Sequence, residues 1–378
     1  MIYLDNNATT RVLDSVEETM RPFLGVRYAN PASAIGEFEG VGHAIACARS
    51  TIGRHLGLQD GSGLVITSGA TEANNLAILG AARACPSRRH LVVSSIEHPS
   101  VLETVRHLQA SGYIVTYLPV TSSCTVSSES VASALTEQTL LVSVMLANNE
   151  TGVIQPVSEI AELVKGYDPR ILVHTDATQA IGKIPIDLSG GLASVDLLAL
   201  SAHKFHGPKG VGALFVRDPG AVAPILFGGG QQLGLRPGTE NPAAVVGMAT
   251  ALTMMAANTS RLEDVGALRD ETEARVLAMC SGATALGFGR SRLPNTSNLC
   301  LPGVHAGELV DRLAAQGIAI STGSACSHGA QRPSHVLLAM GLSHGDAQCC
   351  IRISLSIETS RAEIESFLQE LEHNCSQL

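Results

Sequence analysis

The sequence predicts an α/β fold with a large mixed, mostly parallel sheet and a smaller α+β domain. Three observations predict it. Short runs of β-branched and aliphatic residues recur along the chain, with segments of helical period between them. Residues suited to chemistry stand just past the ends of those runs, where open parallel sheets place their ligands. The chain of 378 residues exceeds the usual size of one domain, and 45% apolar against 16% charged residues marks a compact globule. Residues 15–260 are expected to form the large domain, and 1–14 plus 261–378 the small one.

Charge and composition exclude several classes. A formal charge of −9 and a pI near 5.8 argue against nucleic acid as a direct ligand, since phosphate binding wants a basic face. The one basic cluster, Arg88-Arg89-His90, reads as a solvated loop. Met1 leads straight into a strand, and no apolar span reaches membrane length, so a cytoplasmic protein without a membrane partner is expected. Nine cysteines include no Cys-x-x-Cys pair, which argues against zinc ribbons and redox motifs and predicts no metal. Most of them read as small buried residues.

Taken in order, Ile2–Asp5 reads as a strand and Asn6-Asn7-Ala8-Thr9-Thr10 as a polar turn in which Thr9 or Thr10 could cap a helix. Residues 37–56 have helical spacing. Leu64–Thr67 is a strand, followed by Ser68-Gly69-Ala70-Thr71-Glu72 and then a helical segment, a geometry that aims backbone N–H groups at an anion. Leu91–Ser95 is a strand with His98 beyond its end, suited either to stacking on a flat ring and relaying a proton or to capping a helix. Strands follow at 115–120 and 140–146, the second running into Asn148-Asn149-Glu150-Thr151-Gly152. Ile171–Asp176 is a strand ending in a carboxylate that could hold a pyridine nitrogen protonated, or simply cap a helix.

Residues 195–200 form an apolar strand, and Lys204 follows in Ser201-Ala202-His203-Lys204-Phe205-His206-Gly207. A lysine hemmed by apolar and aromatic groups loses solvation, which favours a nucleophilic amine. Taken alone it is a loop lysine; Asp176 upstream makes it a candidate for a pyridoxal phosphate site. Gly228-Gly229-Gly230 lacks dinucleotide spacing. Residues 243–278 read as a helical connection to the second domain. Residues 318–329 carry Gly323-Ser324-Ala325-Cys326-Ser327-His328-Gly329, the setting of a mobile loop. Cys350–Ser356 is a strand presenting Arg352, whose guanidinium matches a carboxylate, and 361–373 closes as an amphipathic helix.

These segments together resemble a class V, fold-type I pyridoxal phosphate enzyme of the NifS/IscS cysteine desulfurase group. The matching stretches run along the whole chain: Tyr3-Leu4-Asp5 with Ala8-Thr9-Thr10, Asn30-Pro31-Ala32-Ser33, Thr67–Glu72, Glu97-His98, Asn148–Gly152, His174–Gln179, the Lys204 segment, Arg236–Asn241 and Gly323–Cys326. The resemblance implies pyridoxal 5'-phosphate bound covalently by Lys204. It implies Ala70, Thr71, Ser201 and His203 around the phosphate, with Thr239 contributed by the second subunit of a homodimer. It implies His98 on the pyridine ring as an acid/base group, Asp176 at the ring nitrogen, Gln179 at the ring oxygen and Asn149 beside ring and substrate. Arg352 would bind the carboxylate of L-cysteine, and Cys326 would take its sulfur as a persulfide.

The expected reaction gives L-alanine and passes sulfur to an acceptor protein, either an iron–sulfur scaffold or a thionucleoside or DNA sulfur-modification enzyme. The chain stops at Leu378, short of the extension by which IscS-type members dock the scaffold. Selenocysteine lyase shares much of the pattern, and a class V aminotransferase would share the fold without needing Cys326. A sulfur-carrier docking module with a vestigial site is the reading outside enzymes, and the intact lysine, aspartate and histidine argue against it.

Overall fold

The computed structural model describes residues 1–322 and 333–375. Twelve strands are present among them: β1 Ile2–Tyr3, β2 Leu64–Thr67, β3 His90–Ser94, β4 Ile114–Leu118, β5 Thr139–Ser143, β6 Leu172–Asp176, β7 Leu197–Ser201, β8 Gly212–Val216, β9 Thr284–Ala285, β10 Thr296–Cys300, β11 Ile318–Ala319 and β12 Cys350–Ser354. Seven of them form the main sheet, in the order β2-β8-β7-β6-β5-β3-β4. Within it only β8 runs against its neighbours, pairing antiparallel with both β2 and β7. The sheet is therefore mixed and mostly parallel, as expected. β8 itself has no counterpart among the sequence-based expectations.

Strands β2, β7 and β8 read as nearly continuous apolar runs and are buried throughout, because both faces of the sheet are covered there, whereas the edge strand β4 is partly exposed. Leu91, Val93, Leu197 and Ala199 point into one buried cluster, while Val92, Leu198 and Leu200 point into the other. A three-stranded sheet, β12-β10-β9, and the parallel pair β1-β11 lie outside it. They pack a third apolar cluster from Leu4, Leu299, Ile351, Ile353 and Phe367, the last from the helix Arg361–Cys375. Among the described residues no single helix is long and apolar enough to cross a membrane.

Five expectations are corrected. The helical stretch 37–56 is two helices, Ala34–Phe38 and Val41–His55, broken where Gly40 takes a φ of +70°. The stretch 243–278 is also two helices, Pro242–Ala257 and Thr259–Met279, bent by 71° at Asn258. The first of these is no connection: Met248, Ala251 and Leu252 are buried in the large core, which demands its apolar surface on all sides. Arg88 and His90 are not a solvated loop. Arg88 Nη2 pairs with Asp168 Oδ2 at 2.6 Å, and His90 opens β3 between Thr139 Oγ1 and Thr116 Oγ1, each at 2.9 Å. Neither Thr9 nor Thr10 caps a helix; the helix Asp14–Met20 starts after Leu13, and Thr10 Oγ1 binds His203 O and His206 N instead. The expectation that most cysteines are buried also fails: of the eight described, only Cys124, Cys300 and Cys350 are buried, and Cys47 is exposed.

Candidate active site

Because β2, β3, β5, β6 and β7 run the same way, the residues that follow each of them emerge on one edge of the sheet. A cavity of about 940 Å³ opens there. It is lined by Ala70 and Thr71 after β2, His98 after β3, Asn149 after β5, Asp176 and Gln179 at the end of β6, and Ser201, His203 and Lys204 after β7. Arg352, from β12, closes one side.

Lys204 ends a single 3-10 turn, Ala202–Lys204, and its Nζ donates to the main-chain carbonyls of Asn7 and Ala8, each at 2.7 Å. His206, two residues on, holds a φ of +66°, which costs a non-glycine residue about 1 kcal/mol or more. Two polar bonds sustain it: His206 N to Thr10 Oγ1 at 2.7 Å and Nδ1 to Arg11 O at 2.9 Å. The strain lies where the chain must turn back under the lysine.

Asp176 is buried, and its carboxylate accepts from Asn74 Nδ2 at 2.8 Å and from Thr178 N at 2.9 Å. The same Asn74 Nδ2 donates to Ser100 Oγ at 2.8 Å, which leaves the serine hydroxyl proton for His98 Nδ1, also at 2.8 Å. The Ser100 main-chain N–H reaches that nitrogen too, at 3.1 Å. A backbone N–H can only donate, so His98 Nδ1 is the acceptor and the proton of the neutral ring sits on Nε2. Burial, aided by the nearby Lys204 and His335 against the pull of Asp176, lowers the His98 pKa and favours the neutral ring. His98 caps the helix Pro99–Ala110, one of the two readings taken from the sequence, and it also lines the cavity.

The helix Ala70–Ala84 points its N-terminus at the cavity. Its N-cap is Gly69, which has no side chain to satisfy the first N–H groups. Gly69 takes a φ of +154°, accessible to glycine. Glu72 in the first turn also lines the cavity, and its carboxylate accepts from Ser68 N at 2.6 Å and pairs with Arg236 Nε at 2.8 Å. His203 Nδ1 meets Thr9 Oγ1 at 3.1 Å; burial, with Lys204, Lys209 and Lys183 nearby, pushes its pKa down to about 4, so the ring is neutral.

Gln179 is held from both ends. Its Nε2 donates to Asn7 O at 3.0 Å, and its Oε1 accepts from Lys183 Nζ at 3.0 Å. Asn149 contributes its main-chain carbonyl to Arg352 Nη1 at 3.0 Å and to Asn7 Nδ2 at 3.1 Å. Arg352 is buried, with Nη2 against Asp5 Oδ1 at 2.6 Å. Thr239 is exposed and does not line this cavity. Cys326 lies outside the described residues. The described residues flanking its segment are at the site: Ser321 bridges Arg352, and Pro333, Ser334 and His335 line the cavity.

The class-V aminotransferase family model matches residues 2–367 of the chain. The cysteine desulfurase NifS of Azotobacter vinelandii is 41% identical over 382 residues, covering 100% of this chain and 93% of that protein. This chain belongs to the class-V aminotransferase family, in its NifS/IscS cysteine desulfurase group. Among solved structures of relatives, a NifS-like protein superposes with a TM-score of 0.93 at 37% identity, covering 100% of both chains. A second, described as SspA in complex with cysteine, has a TM-score of 0.82 at 36% identity over 94% of this chain and 99% of that one.

Beside the residues expected from the sequence, Asn7, Glu150 and His335 line the cavity, and Asn74, Ser100 and Lys183 hydrogen-bond residues that line it. Glu150 is buried and takes Ser334 Oγ at 2.5 Å; burial raises its pKa. His335 Nε2 meets the Glu97 carbonyl at 2.9 Å. Lys183 stands four residues after Gln179, a helical spacing visible in the sequence, and Ser100 two after His98. The other four have no local signal, because their partners are distant in sequence.

Proposed function

We propose that the chain converts L-cysteine to L-alanine with pyridoxal 5'-phosphate as cofactor, holding the released sulfur as a persulfide on Cys326 for transfer to an acceptor protein. The convergence of Lys204, Asp176 and His98 on one cavity carries this reading. A relative described as a complex with cysteine supports the substrate. The donor set fits the cofactor group by group. The uncapped N-terminus at Ala70 and Thr71, beside Ser201 and His203, suits a phosphate. The buried Asp176 carboxylate suits a protonated ring nitrogen, and the Gln179 amide nitrogen a ring oxygen. Thr178 Oγ1 is buried without a protein partner beside Asp176, a further polar atom fit for a polar ligand.

When bound, the cofactor supplies the electron sink that makes the substrate Cα proton removable. Lys204 Nζ takes that proton and carries it. Arg352 receives the substrate carboxylate on a guanidinium that Asp5 has already oriented. His98, at the cavity with its proton on Nε2, would help hold the ring and keeps a proton available at that nitrogen. The Cys326 thiolate attacks the substrate sulfur: an S–S bond forms, the C–S bond breaks, and its electron pair stays with carbon. That carbon takes a proton from solvent and becomes a methyl group, Lys204 returns the proton it took to Cα, and alanine leaves Cys326-S-SH behind.

Two further parts of the reading concern assembly. A homodimer in which Thr239 reaches the neighbouring phosphate site is supported by exposed apolar side chains near that loop and in 24–38, among them Phe227 at 76% exposure and Phe38 at 89%. The division into units 15–260 and 1–14 plus 261–378 is supported by the separate apolar cluster that joins Leu4 to Val265–Leu371. The acceptor is an iron–sulfur scaffold or an enzyme of thionucleoside or DNA sulfur modification.

The test is alanine formation from L-cysteine by the purified holoenzyme, with L-selenocysteine as the comparison substrate. Lys204→Ala should abolish turnover, and Cys326→Ala should lose about three orders of magnitude while retaining cofactor. Alanine formation by Cys326→Ala within about tenfold of the wild type, ~1.4 kcal/mol of barrier, would remove the thiol from the reaction.

A further inference from the structure

We propose that Asn7 is a positioning residue for Lys204: its side chain anchors the 6–10 turn so that two carbonyls of that turn aim the lysine amine. The proposal rests on the reading of Lys204 as the group that moves the substrate proton. It starts from two hydrogen bonds that Nζ donates, to Asn7 O and Ala8 O, each at 2.7 Å. A tetrahedral nitrogen bonded to Cε has three remaining positions. Two N–H groups spent on these carbonyls direct the third away from the turn. That third position is the lone pair of the amine or the transferable proton of the ammonium. The direction in which Lys204 gives and takes a proton is therefore set by main-chain atoms of residues 7 and 8, nearly 200 positions away.

Carbonyls aim an amine only if they are themselves held. Asn7 is 1% exposed, and its polar groups are engaged on several elements. Its Nδ2 donates to Thr296 Oγ1 at 2.9 Å and to Asn149 O at 3.1 Å. Its Oδ1 accepts from Asn295 Nδ2 at 3.0 Å, and its main-chain N donates to Ser354 Oγ at 2.9 Å. Thr296 and Ser354 belong to β10 and β12, whereas Lys204 follows β7 of the main sheet. The side chain thus ties the turn to one sheet while its carbonyl holds a lysine delivered by the other. The same carbonyl takes Gln179 Nε2 at 3.0 Å, so the amide and the amine share one acceptor. An aspartate at position 7 would set an acceptor against the Asn149 carbonyl, and an alanine would release all three side-chain bonds.

The experiment uses Asn7→Ala and the milder Thr296→Val, which removes one acceptor of Asn7 Nδ2. In the cofactor-free protein, the pH dependence of reductive methylation at Lys204 is read by peptide mass spectrometry, with exposed Lys209 as reference. Carbonyl acceptors favour the ammonium form, so the Lys204 profile should move to lower pH by about one unit in Asn7→Ala and by less in Thr296→Val. In the holoenzyme, kcat of Asn7→Ala should fall roughly 100-fold, the penalty of misplacing a reacting group by about 1 Å. Should Asn7→Ala not fold, the shift in Thr296→Val carries the test. An unshifted Lys204 profile in a folded variant, with kcat at the wild-type level, overturns the proposal. Full activity of Lys204→Ala would instead remove the reading on which it rests.

Discussion

Replacing Lys183 by methionine should change the pH dependence of stability in a direction that the structure dictates. Lys183 is buried, with Nζ on Gln179 O and Gln179 Oε1, both at 3.0 Å. Burial, reinforced by the Lys204 and Arg352 cations, pushes its pKa down from 10.5 to about 7. A folded value below the unfolded one means that the unfolded chain binds the extra proton between those limits. Stability from this group is therefore full above pH 10.5 and lost as pH falls through the window to about 7, at ~1.4 kcal/mol per pH unit. Lys183→Met removes that slope. It also strips two donors from Gln179, which costs about 1–3 kcal/mol at every pH.

The variant should then be less stable than the wild type near about pH 9.5, and roughly 3 kcal/mol better placed relative to it near about pH 7.5. Urea unfolding of both cofactor-free proteins at the two pH values measures the difference. A stability difference that does not change between them would refute the reasoning, because the buried amine would then be as protonated in the fold as in the unfolded chain.

Other outcomes follow from the same geometry. Asn74→Ala leaves Asp176 with only the Thr178 N–H; a hydrogen bond to a charged group is worth about 1.5–3 kcal/mol, so cofactor affinity by equilibrium dialysis should drop roughly tenfold or more. Acidification should destabilise the protein as pH falls from 6.5 through about 4. Burial, against the pull of Asp176, depresses the His174 pKa to about 4, and burial beside lysines does the same to His203. His174 alone contributes on the order of 3 kcal/mol, present above its unfolded value and lost across that window, and His174→Gln should flatten the acid limb of a Tm-against-pH curve. In Gly212→Ala the added Cβ would sit 2.4 Å from Leu200 O and 2.7 Å from Gly69 Cα, forcing β8 away from β7 and from the turn before Ala70. A loss of about 1–3 kcal/mol with weakened cofactor binding is expected, and an unfolding midpoint equal to the wild type would contradict that contact.

Six of the seven strands of the main sheet, all but β8, and the residues at their carboxyl ends are legible in the sequence. Leu64–Thr67 and Leu197–Ser201 are largely apolar runs that suit a sheet covered on both faces. Once they run parallel, chemistry placed after each strand must meet at one edge, so Lys204, Asp176 and His98 were legible as one site without coordinates. Tertiary structure alone decided what holds those groups. Asn74 reaches Asp176 across 102 positions, Asn7 reaches Lys204 across 197, and Arg88 finds Asp168 across 80. Local periodicity carries no trace of such partners, since each bond depends on how two separate elements pack. The break at Gly40 and the reversed strand β8 are of the same kind. A glycine in a helical pattern is only a weak break signal, and the direction of an apolar strand is set by the neighbours it pairs with.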